Sequence, residues 1–513
     1  LLRFNTFAVV HYGCMSYALH IRQTRQSLNL GKSIMMKTRQ MRKNKKAIWG
    51  WAMYDWANSA FATTVMAGFF PIFFKQYWSY GVDVNMSTAH LGIANAIASI
   101  LVSVMAPILG AIADSGSMRK KFLIFFAYFG VLMTASLFLI RKGSWEWAVF
   151  LYVMGVIGFS GANIFYDSLL PSVADDTEID YVSGLGYSMG YLGGGLLFLG
   201  NVLMTLMPEK FGLPDTGTAI RYAFVSVAFW WGFFTIFTLL WVPEVQTTAT
   251  PSKGLKFIVD GFKQFTRTFK KIRRLKTLFL FLIAYWFYID GVDTIIRMAV
   301  DYGMSIGFNS NDLIIALLIT QFVGFPCALF FGKLGQIWSA RKAIYIAIGI
   351  YAAVTIWGTM MTHKQEFYVL AVIIGMVQGG IQALSRSYYS RLIPKNRIAE
   401  FYGFYNMLGK FAAILGPVLI GFVGLLARHI LMPSSPTPEQ FVHISRLASR
   451  WGIASILLLF IVGATLFFFV DEEKGRQRKP FAGDVVMQQR RPGRDRDCRA
   501  KHRPGAETGA VIT

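Results

Sequence analysis

GAIADSGSMRKK, Gly110 to Lys121, decides the fold, because GKLGQIWSARK, Gly332 to Lys342, repeats its framework. Counted from each leading glycine, Asp114 and Gln336 fall four residues on, Arg119 and Arg341 nine, and Lys120 and Lys342 ten, all at a shift of 222 positions. YDSLLP, Tyr166 to Pro171, answers YSRLIP, Tyr389 to Pro394, at a shift of 223. Two matches at nearly one shift describe a chain built as two parallel repeats.

The sequence around these repeats is that of an all-α integral membrane protein. Of 513 residues, 54% are hydrophobic and 15% charged, against about 25% charged in ordinary soluble chains. Apolar runs long enough to cross a bilayer predict twelve spans, near 56–78, 90–112, 122–140, 146–166, 184–207, 222–242, 277–299, 313–332, 343–361, 367–385, 404–427 and 451–470. The chain then divides into a basic extension at 1–46, a six-helix bundle at 47–243, a basic linker at 244–276, a second six-helix bundle at 277–474 and a tail at 475–513. The chain opens on Leu1, and Met35, Met36 or Met41, just before RKNKK, predicts a later start.

The formal charge of +24 is concentrated: residues 1–46 carry +10, residues 253–276 +8 and residues 471–513 +4. With twelve spans those three segments share one side, which the positive-inside rule makes cytoplasmic. That explains the basic balance without nucleic acid. In the linker, Phe262, Phe265 and Phe269 share a helical face with Lys and Arg on much of the rest, a pattern for lying on an anionic leaflet. Cys14, Cys327 and Cys498 have neither metal-like nor disulfide-like spacing. The seven His are scattered, no phosphate-binding loop appears, and no metal site, cofactor or catalytic constellation is expected. The dense acids of ADDTEID, Ala174 to Asp180, read as a solvated linker.

Six spans plus six joined by a basic loop is the plan of the major facilitator superfamily. GAIADSGSMRKK resembles that superfamily's loop between spans 2 and 3, with Ser115 and Ser117 where a basic residue and Gly are common. MYDWANSAFATTVMAGFFPIFFKQYW, Met53 to Trp78, is similar to the opening of the vacuole effluxer-like ("unidentified major facilitator") family, whose other hallmarks resemble GYLGGG in span 5 and GKFAAILGP in span 11. The resemblance implies a secondary transporter working by alternating access, with amino-acid efflux as the first substrate guess and a proton gradient as a plausible driver. It also implies that Gly110, Asp114, Arg119 and Lys120, with Gly332, Gln336, Arg341 and Lys342, form gating loops on the cytoplasmic side. A bacterial inner membrane suits the compact loops. The alternatives are a transport-inactive sensor or scaffold and a membrane-embedded enzyme.

Intramembrane polar residues are costly and therefore candidates for the pathway. Asp55 and Asn58 share one face of span 1, and the reading stays open between a cap at the helix start and a gate or ligand. Span 4 carries Asn163 and Asp167. Span 7 carries Asp290, Asp293 and Arg297 on one stripe, with Asp290 as a proton, cation or ammonium acceptor or, alternatively, a carboxylate beside a self-neutralised pair. In span 10, Gln378, Gln382 and Arg386 recur every four residues; the amides suit a zwitterion, and Arg386 either serves the pathway, snorkels, or pairs with Glu400. Lys410 in span 11 is a candidate carboxylate ligand or a snorkelling lysine. Gly186, Gly190, Gly193 and Gly194 form a small-residue face on span 5, read as helix packing that lets the halves slide.

Overall fold

A computed structural model of the chain describes residues 45–82, 84–116, 118–244, 266, 270, 275–305, 310–394, 397–412, 414–433 and 437–471. Phe262, Phe265 and Phe269 of the linker, the first 44 residues and the 475–513 tail lie outside the described residues. Among those described, twelve helices are long and apolar enough to cross a membrane. The first six are α1 (Lys45–Trp78), α2 (Gly92–Asp114), α3 (Arg119–Leu139), α4 (Trp145–Val173), α5 (Ile179–Leu206) and α6 (Thr216–Trp241). The second six are α7 (Lys276–Ile296), α8 (Asp312–Ile337), α9 (Ala340–Met360), α10 (Lys364–Leu392), α11 (Ile398–Leu431) and α12 (Pro438–Phe468).

α1 and α12 start furthest ahead of the spans that hydropathy predicts. α1 begins at Lys45 with Lys45 and Lys46 exposed, and further along it Trp51 and Asn58 are buried against protein. α12 begins at Pro438, where Thr437 and Gln440 form a reciprocal capping box, Gln440 N donating to Thr437 Oγ1 at 3.2 Å and Thr437 N to Gln440 Oε1 at 3.1 Å. α6 is capped by Asp215, whose Oδ1 accepts from Thr218 N at 2.7 Å. That N–H holds the Asp215 carboxyl below the usual carboxylate range.

α1 is not regular. Around Pro71, which cannot donate to the helix ladder, it widens into π-helical turns over Phe61–Phe69 and Phe74–Trp78. α11 is broken into Ile398–Phe411 and Leu415–Leu431, and α12 is interrupted at Ser455.

Each half has its own apolar core. One gathers Trp51, Phe61, Phe70, Trp78, Phe165 and Trp231 from the first six helices; the other gathers Phe281, Tyr288, Tyr351, Tyr388, Phe460 and Phe467 from the second six. Large apolar side chains such as Phe125, Phe229, Phe422 and Leu425 stand on the outside, where a bilayer replaces water as the solvent.

The halves touch through α5 against α8 and through α2 against the first segment of α11. Glycine lets the backbones approach. A Cβ on Gly184 would sit 2.7 Å from the Ala328 carbonyl oxygen; one on Gly403 would sit 2.6 Å from Pro107 Cα; one on Gly110 would sit 2.7 Å from the Ala399 carbonyl carbon. These α2–α11 contacts lie at the face where α1 begins, α6 ends and α7 begins, called the terminal face below. Toward the opposite face the second segment of α11 leaves α2, against which its first segment packs. The bundle is closed at its terminal face.

Candidate functional site

Near the terminal face, α1, α4, α5, α10 and α11 converge on one guanidinium. Arg386 of α10 is 2% exposed and is surrounded from the other half of the chain. Its Nη1 donates to Asp167 Oδ1 on α4 at 3.0 Å, its Nε to Ser183 Oγ on α5 at 3.0 Å, and its Nη2 to the Ser183 carbonyl at 3.0 Å. Nη2 also stands 3.7 Å from Asp55 Oδ2 on α1. The planar fork of arginine suits several fixed acceptors at once. Trp51, Tyr166 and Tyr187 present ring faces to the guanidinium, with centroids at 4.8, 5.4 and 4.5 Å.

The carboxylates are held in turn. Tyr166 OH donates to Asp55 Oδ2 at 2.6 Å, and Asn406 Nδ2 of α11 donates to Asp167 Oδ2 at 3.0 Å. One turn away, Asn58 Nδ2 donates to Asn163 Oδ1 at 2.6 Å, joining α1 to α4 in a second polar rung. Tyr166 also stacks on Trp51 at a centroid distance of 4.4 Å, so the rings fix the phenol's direction.

Two more ion pairs reinforce the same end. Asp180 at the start of α5 accepts from Arg391 Nη2 and Ser387 Oγ of α10. Asp114 of α2 pairs with Arg119 Nη2 at 2.6 Å and takes the backbone N–H groups of Ala399 (3.2 Å) and Glu400 (2.8 Å) at the start of α11. An acid at a helix N-terminus meets donors that have no partner within that helix. Four acids of the first half, Asp55, Asp114, Asp167 and Asp180, thus hold α10 and α11 of the second.

Residues 43–426 match the family described as "Vacuole effluxer Atg22 like". The chain belongs to that family. It is 37% identical over 425 residues to the "Uncharacterized MFS-type transporter YxiO" of Bacillus subtilis, spanning 82% of this chain and 94% of that protein. It is 22% identical to "Autophagy-related protein 22" of Yarrowia lipolytica, over 78% of this chain and 79% of that one. Among solved structures, the major facilitator superfamily proton:xylose symporter XylE superposes with a TM-score of 0.59 at 12% identity, covering 85% of this chain and 96% of that chain. The fold is that of the major facilitator superfamily, and this Atg22-like chain is a multi-pass integral membrane transporter.

Several expectations for this Atg22-like chain are corrected by the geometry. Asp55 does not cap the start of α1: the helix begins ten residues earlier, at Lys45, which places Asp55 about 15 Å along it at 1.5 Å per residue. Arg386 neither snorkels nor pairs with Glu400; it is buried against Asp167 and Asp55. Gly186, Gly190, Gly193 and Gly194 do not form the sliding surface between halves. They pack on Trp51, Asp55, Trp56, Ser59 and Thr63 of α1 within the first half, whereas Gly184 and Gly332 make the contact across halves. Asp180, read as part of a solvated acidic loop, is buried and ion-paired, while Asp175 and Asp176 are exposed.

The other named residues are dispersed. Gln336 Nε2 donates to the Thr177 carbonyl at 2.9 Å across the halves, Arg341 Nη2 donates to the Phe468 carbonyl at 2.6 Å, and Lys120 Nζ donates to the Val242 carbonyl at 2.7 Å. Lys342 is exposed. Gln378 and Gln382 are half-buried on α10, and Lys410 and Asp293 are half-buried on α11 and α7; the side chain of Arg297 lies outside the described residues.

Asp290 has a structural task. Its two oxygens accept from Leu415 N at 3.1 Å and Gly416 N at 2.9 Å, and Thr294 Oγ1 adds a third bond at 3.2 Å. The carboxylate of α7 therefore caps the second segment of the broken α11. Gly416 is required there, since a Cβ would lie 2.6 Å from Thr294 Cβ. Asp290→Ala removes that cap and is expected to cost about 0.5–2 kcal/mol, read as a lower Tm in detergent. Asp290→Asn keeps an acceptor and is expected to recover part of the loss.

As site residues, Tyr166, Ser183, Tyr187 and Asn406 escaped the sequence reading, whereas Asp180 was assigned to the wrong environment. For Tyr166 a signal existed, since it opens the repeated YDSLLP; Arg391, the partner of Asp180, lies in its counterpart YSRLIP.

Proposed function

We propose that this chain is a secondary active transporter that moves a small polar or zwitterionic solute, with an amino acid as the first candidate, by alternating access between its two halves. The observation that carries the reading is Arg386. A buried guanidinium supplied by the second half and neutralised by two acids of the first makes a bond that forms only when the halves meet at the terminal face. Such a contact has two natural states, made and broken, which is what alternating access requires. The half-buried amides Gln382 and Gln378 lie on the same helix, about one and two turns from Arg386, and offer both donors and acceptors to a zwitterion.

A proton gradient is the proposed driver, given the acids beside the gate. The positive charge of the linker and terminal segments supports a cytoplasmic terminal face in a bacterial cytoplasmic membrane, and the effluxer name of the family supports export. The test is uptake and counterflow of a labelled amino-acid panel in proteoliposomes, with and without an imposed pH gradient. Saturable flux that follows the gradient is expected. Absence of flux and of counterflow for every solute in the panel would overturn the substrate assignment.

A further inference from the structure

We infer that the second half carries a binding site for an amphipathic anion, with an apolar cavity for the body of the ligand and Arg450 for its charged head. This goes beyond the transport reading and does not depend on it.

The cavity has a volume of about 100 Å³ and lies among α7, α8, α9, α10 and α12, toward the face opposite the terminal one. Ile295, Leu313, Val354, Leu370 and Ile453 are among its walls. On α10 the lining runs from Phe367 to Gln378, about 16 Å at 1.5 Å per residue, so the space is long rather than round. Every lining residue belongs to the second half. Rocking of the two halves therefore leaves the walls in place.

Water is a poor occupant. The hydroxyls in the wall already donate within the protein: Tyr302 OH to the Gly358 carbonyl at 2.6 Å, Thr320 Oγ1 to the Ala316 carbonyl at 2.9 Å, and Thr355 Oγ1 to the Tyr351 carbonyl at 2.8 Å. A buried water needs roughly two to four polar partners, and among the described residues Gln378 is the one polar side chain of the wall without a hydrogen bond. An apolar chain makes fuller contact with such a lining than water does.

Arg450 supplies the partner for a charged head. It precedes Ile453 by three residues, hence on the same face of α12. Its Nη2 donates to the carbonyl of Met361, another lining residue, at 2.8 Å, and its charge acts on Tyr302, a third. The side chain is half-buried, its Nε is buried without a hydrogen-bond partner, and among the described residues no acid pairs with it. By contrast, Arg119, Arg386 and Arg391 at the terminal face each have a carboxylate. A guanidinium with a donor to spare, beside a long apolar cavity, suits a carboxylate or phosphate that bears an aliphatic chain. A free fatty carboxylate and an anionic phospholipid of the adjoining leaflet both present that chemistry.

The test follows thermal unfolding of the full-length protein in detergent against octanoate, octan-1-ol and acetate. A ligand that binds only the folded state raises Tm. Saturable stabilisation by octanoate is expected, with a weaker effect of octan-1-ol and none of acetate. Arg450→Gln is expected to raise the octanoate concentration for half-maximal stabilisation about tenfold, through loss of a charge-assisted bond, and Arg450→Lys to keep most of the response. Ala316→Leu, which fills the cavity, is expected to remove the effects of both octanoate and octan-1-ol. Each variant is compared with its own Tm without ligand, so a lower starting stability does not mimic lost binding. Native mass spectrometry of protein released from nanodiscs of phosphatidylglycerol and phosphatidylcholine separates the two sources. Retention of phosphatidylglycerol that Arg450→Gln removes assigns the site to a lipid, whereas octanoate binding without such retention assigns it to a free carboxylate. Octanoate stabilisation that is unchanged in Arg450→Gln, or the absence of both octanoate stabilisation and Arg450-dependent lipid retention, would overturn the inference.

Discussion

Arg386→Met is expected to abolish gradient-driven flux and to lower the thermal stability of the purified protein more than any other single change at the gate. The side chain is 2% exposed, and its removal leaves Asp55 and Asp167 facing each other with no cation between them. Breaking a buried ion pair in this way costs about 3–5 kcal/mol, a large part of the about 5–15 kcal/mol that separates most native proteins from the unfolded state. Methionine preserves length and apolar contact with Trp51, so the loss is assigned to charge and hydrogen bonding rather than to a cavity. Arg386→Lys is expected to fall between the two. A single ammonium keeps the charge but not the fork that reaches Asp167, Ser183 Oγ and the Ser183 carbonyl together. Thermal unfolding and proteoliposome flux on the three proteins check both statements, and a flux-competent Arg386→Met protein would remove the guanidinium from the gate.

Gly110→Leu is the second large effect, with the opposite balance between stability and activity. Any Cβ at this position would meet the Ala399 carbonyl carbon at 2.7 Å and Glu400 Cα at 2.9 Å, both backbone atoms that cannot swing away. Overpacking of this kind costs about 1–3 kcal/mol, which as a coupling energy is about 5–150-fold in the ratio of closed to open states. The two partners belong to different halves, so the clash is relieved by separating them, not by unfolding either core. Flux should fall by that order while Tm changes little, and labels at the terminal face should report a longer distance. Gly200→Leu serves as the control, because nothing lies within 4 Å of a Cβ there. Equal losses of flux in the two variants would show that the α2–α11 approach is not the controlling contact.

The fold was legible in the sequence because its signals are local or repeated. Twelve apolar runs need only a window of neighbouring residues, and the pairing of Gly110–Lys120 with Gly332–Lys342 needs only a constant shift. Much of the site was not legible, because its bonds join residues far apart in sequence whose meeting depends on how the halves dock. Asp167 and Arg386 are 219 positions apart, and Asp180 and Arg391 are 211. Asp180 misled for a physical reason: a run of four acids in seven residues looks solvated, yet the last of them begins a helix that turns it inward. The break in α11 had a visible cause in Gly416 and Pro417, but the carboxylate that caps it comes from a helix 126 residues earlier.

The meeting of α2 and α11 at Gly110 and Gly403 has a kinetic consequence. Surfaces that interlock through long side chains must find matching rotamers each time they close, and each immobilised side chain costs entropy. Here main chain rests on main chain, and the atoms that touch have no torsions of their own to search. Closing is then governed by the rigid-body travel of the halves, a motion of microseconds to milliseconds. Turnover in this protein should therefore be paced by how often the Arg386 contact lets go rather than by how well the backbones find each other again.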